Sequence, residues 1–427
     1  MDPMTWNNVK NKDLQERASK VIPRGMFGHQ STGMLPEEYP QFFSRARGSR
    51  LWDVDGNEYI DFMCAYGPNL LGYGFEPVEA AAAAQAALGD AMTGPSESIV
   101  VLAETLVGMI DHADWAIFCK NGTDATTMAI VTARAQTKRR KILCATGAYH
   151  GAAPWCTPRP AGVLPEDKAH LVYYDYDDAE SLAAAFKAHE GDVAGVIATP
   201  FRHETFKDET LPEQTFATAA RELCDRHGAL LILDEVRAGF RLARGSGWSD
   251  LGVQPDLSAW GKCIANGHPI SALLGSDTAR KGAEQIFVTG SFWFAATPMA
   301  AGIETLRHIR EGDYLERTVA AGRRLREGLQ QQAAAHGFTL RQSGPVQMPQ
   351  ILFEDDPDFR VGYAWVSEAL KRGVYLHPYH NMFLSAAHSL DDMAVALAAT
   401  DDAFAAVKQR RGSLEPHPVV ARMLAPH

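Results

Sequence analysis

The chain has 427 residues, 46% of them hydrophobic and 22% charged, which is ordinary globular composition and long enough for two or three domains or one large α/β domain with appendages. A formal charge of -11, from 52 acidic against 41 basic residues, argues against nucleic acid or an anionic membrane surface as the main partner. Six scattered cysteines form no C-x-x-C pair, no run of 18 apolar residues occurs, and the polar start MDPMTWNNVKNKDLQERASK has no apolar core; the expectation is a cytoplasmic protein without metal, membrane span or disulfide framework.

In chain order, residues 14–22 read as a short amphipathic helix ended by Pro23 and Gly25. Residues 49–62 (SRLWDVDGNEYIDF) read as two short strands around a tight Asp-Gly turn. The Ala-rich stretch 78–88 reads as a helix. From Glu79 onward helical stretches alternate with short apolar runs at 142–144, Val193–Ala198 and 230–233. That alternation predicts a mostly parallel sheet with helices on both faces. A long amphipathic helix is expected over 297–310, then an Arg- and Ala-rich link at Tyr314–His336, strands at 347–353 and 373–377, and a helix at 391–407. The expected division is an N-terminal segment at 1–75, a large domain at 76–325 and a small C-terminal domain at 326–427, with the small domain drawing on both chain ends.

Four segments carry chemistry. Phe118-Cys119-Lys120 leads into Asn121-Gly122-Thr123-Asp124 and a helical run. Gly followed by a hydroxyl residue at a helix start can cradle a phosphate, although the same residues also make a routine N-cap. Tyr149-His150-Gly151 places an aromatic ring beyond the 142–144 strand, where it could stack on a flat cofactor. The apolar run 230–233 is followed by Asp234, which puts a carboxylate at the carboxyl edge of the sheet, where ligands of open α/β sheets bind. Finally, 255–260 leads to Gly261-Lys262. A lone loop lysine is usually solvated, but Trp260, Cys263 and Ile264 crowd this one, and burial lowers a lysine pKa and makes it a nucleophile. Pyridoxal 5'-phosphate (PLP) needs all four: a phosphate anchor, a platform for the ring, an acid to keep the pyridine nitrogen protonated, and an imine-forming amine.

The same segments resemble fold-type I PLP enzymes of the class III aminotransferase family, in its glutamate-1-semialdehyde aminomutase-like branch. The resemblance runs through LWDVDGNEYIDF, CAYGPNLLGY, KNGTDAT, GAYHG, LLILDEVRAGFR, WGKCIANGHPISALLG and MFLSAAH. Within it, CAYGPNLLGY, ATPFRHE, TGSFWF and HPYHNMFLSAAH are similar to aminotransferases that deaminate hydrolysed fumonisin, a long-chain amino polyol. The resemblance implies an α/β fold with a large, mostly parallel sheet domain and a smaller α/β terminal domain. It implies Lys262 as Schiff-base residue and proton carrier, Asp234 on the pyridinium nitrogen, Val236 under the ring, and Tyr149 above it with His150 adjoining. Asn121 (where the family usually has Ser), Gly122 and Thr123 would hold the phosphate. Ser291 would reach the neighbouring subunit's phosphate, making a homodimer with a shared active site.

Two departures bear on substrate. Ser31 stands where the aminomutase has an Arg that grips the substrate carboxylate, and Thr199-Pro200 replaces the usual Glu-Pro, followed by Phe201-Arg202-His203. Losing a bidentate guanidinium weakens amino-acid recognition. Phe27, Tyr66, Phe292, Trp293 and Phe294 could line an apolar pocket. The expected reaction moves an amino group from a bulky or long-chain amine to pyruvate, whose carboxylate would meet Arg24, Arg202 or Arg237. The alternatives are an aminomutase or an amino-acid aminotransferase.

Overall fold

The structure is a computed structural model that describes residues 6–159 and 161–424. The first five residues of the polar start, Pro160, and the last three residues of the 326–427 segment lie outside the described residues. Among the described residues, no helix is long and apolar enough to cross a membrane, and no group of His, Cys, Asp and Glu is arranged to hold a metal.

Thirteen strands run along the described chain: β1 Phe43–Arg47, β2 Arg50–Asp53, β3 Glu58–Asp61, β4 Trp115–Cys119, β5 Lys141–Ala145, β6 Leu171–Tyr174, β7 Val193–Ala198, β8 Leu230–Asp234, β9 Leu257–Trp260, β10 Ser271–Gly275, β11 Leu340–Ser343, β12 Gln350–Phe353 and β13 Val374–Tyr375. The seven-stranded sheet has the order β4-β10-β9-β8-β7-β5-β6, and only β10 runs against the others. Successive residues of its central strands enter opposite cores. Leu231 and Leu233 pack with the helices Ala179–Ala188 and Gln214–His227, whereas Leu230 and Ile232 pack with Gly122–Thr137. A strand buried on both faces reads as a continuous apolar run, which is why VAGVIA and LLIL were legible.

A second sheet, β1-β2-β3-β13, joins strands from both chain ends, with β13 parallel to β3. Its core is closed by the helices Tyr314–His336, Arg360–Leu370 and Leu390–Arg410. The Arg- and Ala-rich link is thus one continuous 23-residue helix.

Two local readings shift. The first helix is Val9–Val21, starting five residues earlier than its periodicity indicates. Its N-terminus is capped from a distance: the Asp55 carboxylate accepts the N–H groups of Lys10 at 2.7 Å and Asn11 at 2.8 Å. Strand β1 was not expected at all, because FSRAR is mostly exposed and lacks apolar alternation. The Asp-Gly turn between β2 and β3 forms as read; Asp53 accepts the N–H groups of Asp55 and Asn57 at 3.0 and 2.9 Å, and Gly56 takes φ 91°.

Candidate functional site

β8 and β9 are parallel neighbours, with Asp234 opposite Ala259, so their carboxyl ends open on one edge. Asp234 is the last residue of β8 rather than the first beyond it, and Lys262 follows Trp260, the end of β9. β4 points the same way, since both it and β9 are antiparallel to β10, and its end passes through Asn121 into the helix Gly122–Thr137.

Three glycines draw these ends together. A Cβ on Gly122 would lie 2.6 Å from Val236 Cγ1, and one on Gly261 3.4 Å from the same methyl, so the Val236 side chain is wedged between two glycine backbones. Gly151, at φ +129°, leaves no room for a Cβ against Thr123 Oγ1. At the helix start Asp124 accepts the Asn121 N–H at 2.9 Å. The first-turn N–H groups of Gly122 and Thr123 have no intrahelical acceptor and carry the positive end of the helix dipole. The cleft therefore has anion-binding donors at one end and, across Val236, a carboxylate at the other.

That carboxylate is held firmly. Asp234 Oδ2 accepts from His150 Nδ1 at 2.7 Å and Oδ1 from the Val236 N–H at 3.1 Å, and Asp234 is buried. Burial opposes charge on His150, but Cys144 and the Asp234 carboxylate outweigh it and raise the imidazole pKa. His150 Nε2 is buried without a partner, and its ring stacks toward Trp155 at 6.3 Å. Next door, Glu235 is buried against Ser246 Oγ and the Gly247 N–H, and burial raises it to about 7.

Lys262 is half-buried, and its Nζ donates to the Tyr66 carbonyl at 2.7 Å. Burial first, then the Arg237 and Arg241 guanidiniums, lower its pKa to about 7. A lowered lysine pKa means the amine is uncharged, hence nucleophilic, above that pH rather than above 10.5. In the cofactor-free protein, labelling of Lys262 by an amine-directed sulfonate should rise with a midpoint near 7; a midpoint near 10 would show that the amine is an ordinary surface lysine.

The carbonyl that meets Lys262 sits on an unusual turn. Cys64, Ala65 and Tyr66 all take positive φ, 47°, 56° and 63°. Non-glycine residues there cost about 1–3 kcal/mol each and persist only where surroundings fix them. Asp61 does so, accepting the N–H groups of Met63 at 2.8 Å and Cys64 at 3.0 Å and the Tyr73 hydroxyl at 2.6 Å. Lys262 is itself at φ 42°. None of this strain has a glycine to announce it in the sequence.

Around the amine lie Arg237, one of the three arginines the sequence offered, and groups that sequence reasoning missed. Arg237 is half-buried, donates to Asn381 Oδ1, and lies in the field of Lys262, His29, His203 and His380. Both terminal nitrogens of Arg241 are engaged by contrast, donating to the carbonyls of Leu384 at 2.7 Å and Gly67 at 2.6 Å. Glu209 is buried with neither oxygen hydrogen-bonded; burial raises its pKa against the pull of Arg237 and Arg326. His203, buried with Nδ1 unpartnered, sits on the same loop after β7.

The remaining predicted residues are dispersed. Tyr149 is half-exposed, and the Arg237 charge acts on its hydroxyl. Tyr66 packs edge-on to His29 at 4.6 Å and His380 at 5.5 Å. Arg202 is bound to Glu204, its Nε at 2.6 Å from Oε1. Trp293 packs on the Gly122–Thr137 side of the sheet, and Phe294 packs on the opposite face. Within one chain Phe27 and Phe292 are exposed at 69% and 64%, and Ser31, Ser291 and Arg24 are not enclosed by the site.

The cradle, the buried carboxylate with its histidine, and the depressed lysine fit PLP: the N–H groups of Gly122 and Thr123 suit its phosphate, Val236 its ring face, and Asp234 its ring nitrogen. Comparison with known proteins agrees. The sequence model of the Aminotransferase class-III family matches residues 34–405. The chain is 63% identical over 417 residues to the aminopentol aminotransferase of Sphingopyxis macrogoltabida, covering 98% of this chain and 99% of that protein. It is 34% identical over 432 residues to the glutamate-1-semialdehyde 2,1-aminomutase of Leptothrix cholodnii, covering 91% of this chain and 97% of that one. The fold superposes on the PLP internal aldimine form of the Sphingopyxis sp. MTA144 FumI protein with a TM-score of 0.96 at 63% identity, over 96% of this chain and 100% of that one. The chain belongs to the class III aminotransferases, the PLP-dependent enzymes that exchange amino groups between an amine donor and a keto acid.

Proposed function

We propose that this aminotransferase takes its amino group from a bulky or long-chain amine of the amino-polyol class and passes it to a small 2-oxo acid, pyruvate first, with the cofactor attached to Lys262. The observation that carries the reading is the depressed, half-buried Lys262 amine beside Arg237, in a chain 63% identical to an aminopentol aminotransferase. PLP bound here would supply the electron sink for carbanion character at the amine-bearing carbon.

The chain's own residues do the rest. Gly122, Thr123 and Asn121 would hold the phosphate and Asp234 would keep the ring nitrogen protonated, while His150 holds Asp234. Val236 and Tyr149 would pack on the ring. Lys262 Nζ moves the proton at the amine-bearing carbon, and its uncharged form near neutral pH suits that task. Arg237 is the cation for the acceptor's carboxylate: Arg202 is taken by Glu204, and Arg24 stands exposed on the loop before Phe27. With Ser31 in place of the aminomutase Arg, the donor needs no carboxylate.

Ser291, Phe292 and Phe27, exposed in one chain, are proposed to complete the site of a second copy in a homodimer. A fully active monomer in solution would exclude this. Six free thiols support a reducing, cytoplasmic setting.

The test is a half-reaction. Purified holoenzyme is mixed separately with long-chain amines, aryl amines and L-glutamate while the cofactor absorbance is followed. Bleaching by the amines but not by glutamate, restored by pyruvate, is expected. Bleaching only by α-amino or diamino acids would replace this reading with the amino-acid or aminomutase one.

A further inference from the structure

Beyond the carboxyl end of β7 the chain doubles back at residues 202–210. This short hairpin is closed by Arg202 and Thr210, whose backbones exchange hydrogen bonds at 2.8 and 3.1 Å. His203 and Glu209 stand near its two ends, and both lie in the field of Arg237. At its tip Phe206 takes φ 65°. Glycine is at ease in that conformation and a residue with a Cβ is not, so the phenyl ring is kept against the preference of its own backbone.

The ring has a built seat. It stacks on Tyr379 at 4.4 Å and 10°, and it meets Phe359 edge-on at 4.8 Å. The Phe206 N–H donates to the Tyr379 carbonyl at 2.8 Å, and the Gln350 amide donates to the same oxygen at 3.2 Å. Phe359 precedes the helix Arg360–Leu370, where the Asp356 carboxylate accepts the N–H groups of Val361 at 3.0 Å and Gly362 at 2.7 Å. Two residues beyond Tyr379 comes Asn381, which accepts from Arg237. Among the described residues that is the one side-chain hydrogen bond Arg237 makes. The place of its guanidinium therefore depends on the hairpin and on the 377–381 turn, and Phe206 is a contact that joins them.

We propose that Phe206 is a positioning residue for the acceptor half of the reaction: by clamping the 202–210 hairpin to the Tyr379 turn, it fixes the Arg237 guanidinium for the acceptor's carboxylate. The inference rests on the reading of Arg237 given above.

The two half-reactions separate the roles. Holoenzyme is mixed with 2-aminooctane to follow the donor half, and enzyme loaded with pyridoxamine phosphate is mixed with pyruvate to follow the acceptor half, each by cofactor absorbance. Phe206→Gly suits the turn's backbone and removes the ring. It should raise the pyruvate concentration needed for half-maximal rate by about tenfold or more, the scale on which a misplaced binding group is felt. The limiting rate and the donor half should stay within about twofold. Phe206→Tyr, which keeps the stack, should behave as the unmodified enzyme. If Phe206→Gly does not fold, Tyr379→Leu removes the other ring of the stack and carries the same expectation. In an Arg237→Gln background the Phe206 effect should shrink below about twofold, because the two residues act as one unit. Equal slowing of both halves with a lowered melt, or additive losses in the double variant, would overturn the inference. A loss of pyruvate affinity in Arg237→Gln without one in Phe206→Gly would overturn this inference alone. Unchanged pyruvate dependence in Arg237→Gln would overturn the acceptor reading and this inference with it.

Discussion

Replacing Lys262 by alanine is expected to reduce turnover by at least about 10⁴-fold while leaving the protein folded. Two losses combine. The amine that would hold the cofactor disappears, and so does the proton carrier at the amine-bearing carbon, a role worth roughly 10²–10⁴ on its own. The fold should tolerate the change, because Lys262 contributes one hydrogen bond to the Tyr66 carbonyl and no ion pair among the described residues. The check is steady-state turnover beside a thermal melt. A variant with a native melt and more than about 1% of the activity would remove Lys262 from the mechanism; neighbouring Cys263 and Ile264 offer no substitute base.

Asp234→Asn should be the second most damaging change, with kcat falling about 10²–10⁴-fold and amine binding little altered. Asn matches Asp in size, so packing against Val236 survives. What goes is a buried negative charge that would pair with the protonated ring nitrogen, and the expected fall in kcat corresponds to about 3–5 kcal/mol of lost stabilisation of the reacting state. His150 loses its counter-charge as well, since its Nδ1 lies 2.7 Å from Asp234 Oδ2. The discriminating readout is the split: a structural role would move the melt and KM along with kcat, whereas control of the ring nitrogen moves kcat and the cofactor spectrum. Unchanged kcat in a folded, cofactor-saturated variant would contradict the assignment.

Much of this site was legible because parallel-sheet physics concentrates it. Val193–Ala198 and Leu230–Asp234 are continuous apolar runs, and residues just beyond such runs fall on one edge. Asp234, Lys262 and the Asn121-Gly122-Thr123 start could thus be brought together from chain order alone. The helix starting at Val9 could not be bounded locally, since its cap, Asp55, is supplied from the far side of a hairpin. The left-handed turn at Cys64–Tyr66 carries no glycine in its three positions and is held by Asp61, so nothing in its own composition predicts it. The imidazoles near Arg237 come from separate segments, His29, His203 and the His377–His380 turn, and no spacing rule links them. Ranking the arginines likewise needed the structure: Arg202 has a carboxylate partner and Arg241 is engaged by two carbonyls, whereas Arg237 faces Lys262's surroundings.

The most direct test of the central claim is to reduce the purified holoenzyme with borohydride, digest it, and locate the cofactor's mass among the peptides. The account predicts one stably modified lysine, Lys262, in the stretch Gly261-Lys262-Cys263. The cofactor's mass on Lys120 or any other lysine, with Lys262 unmodified, would contradict it.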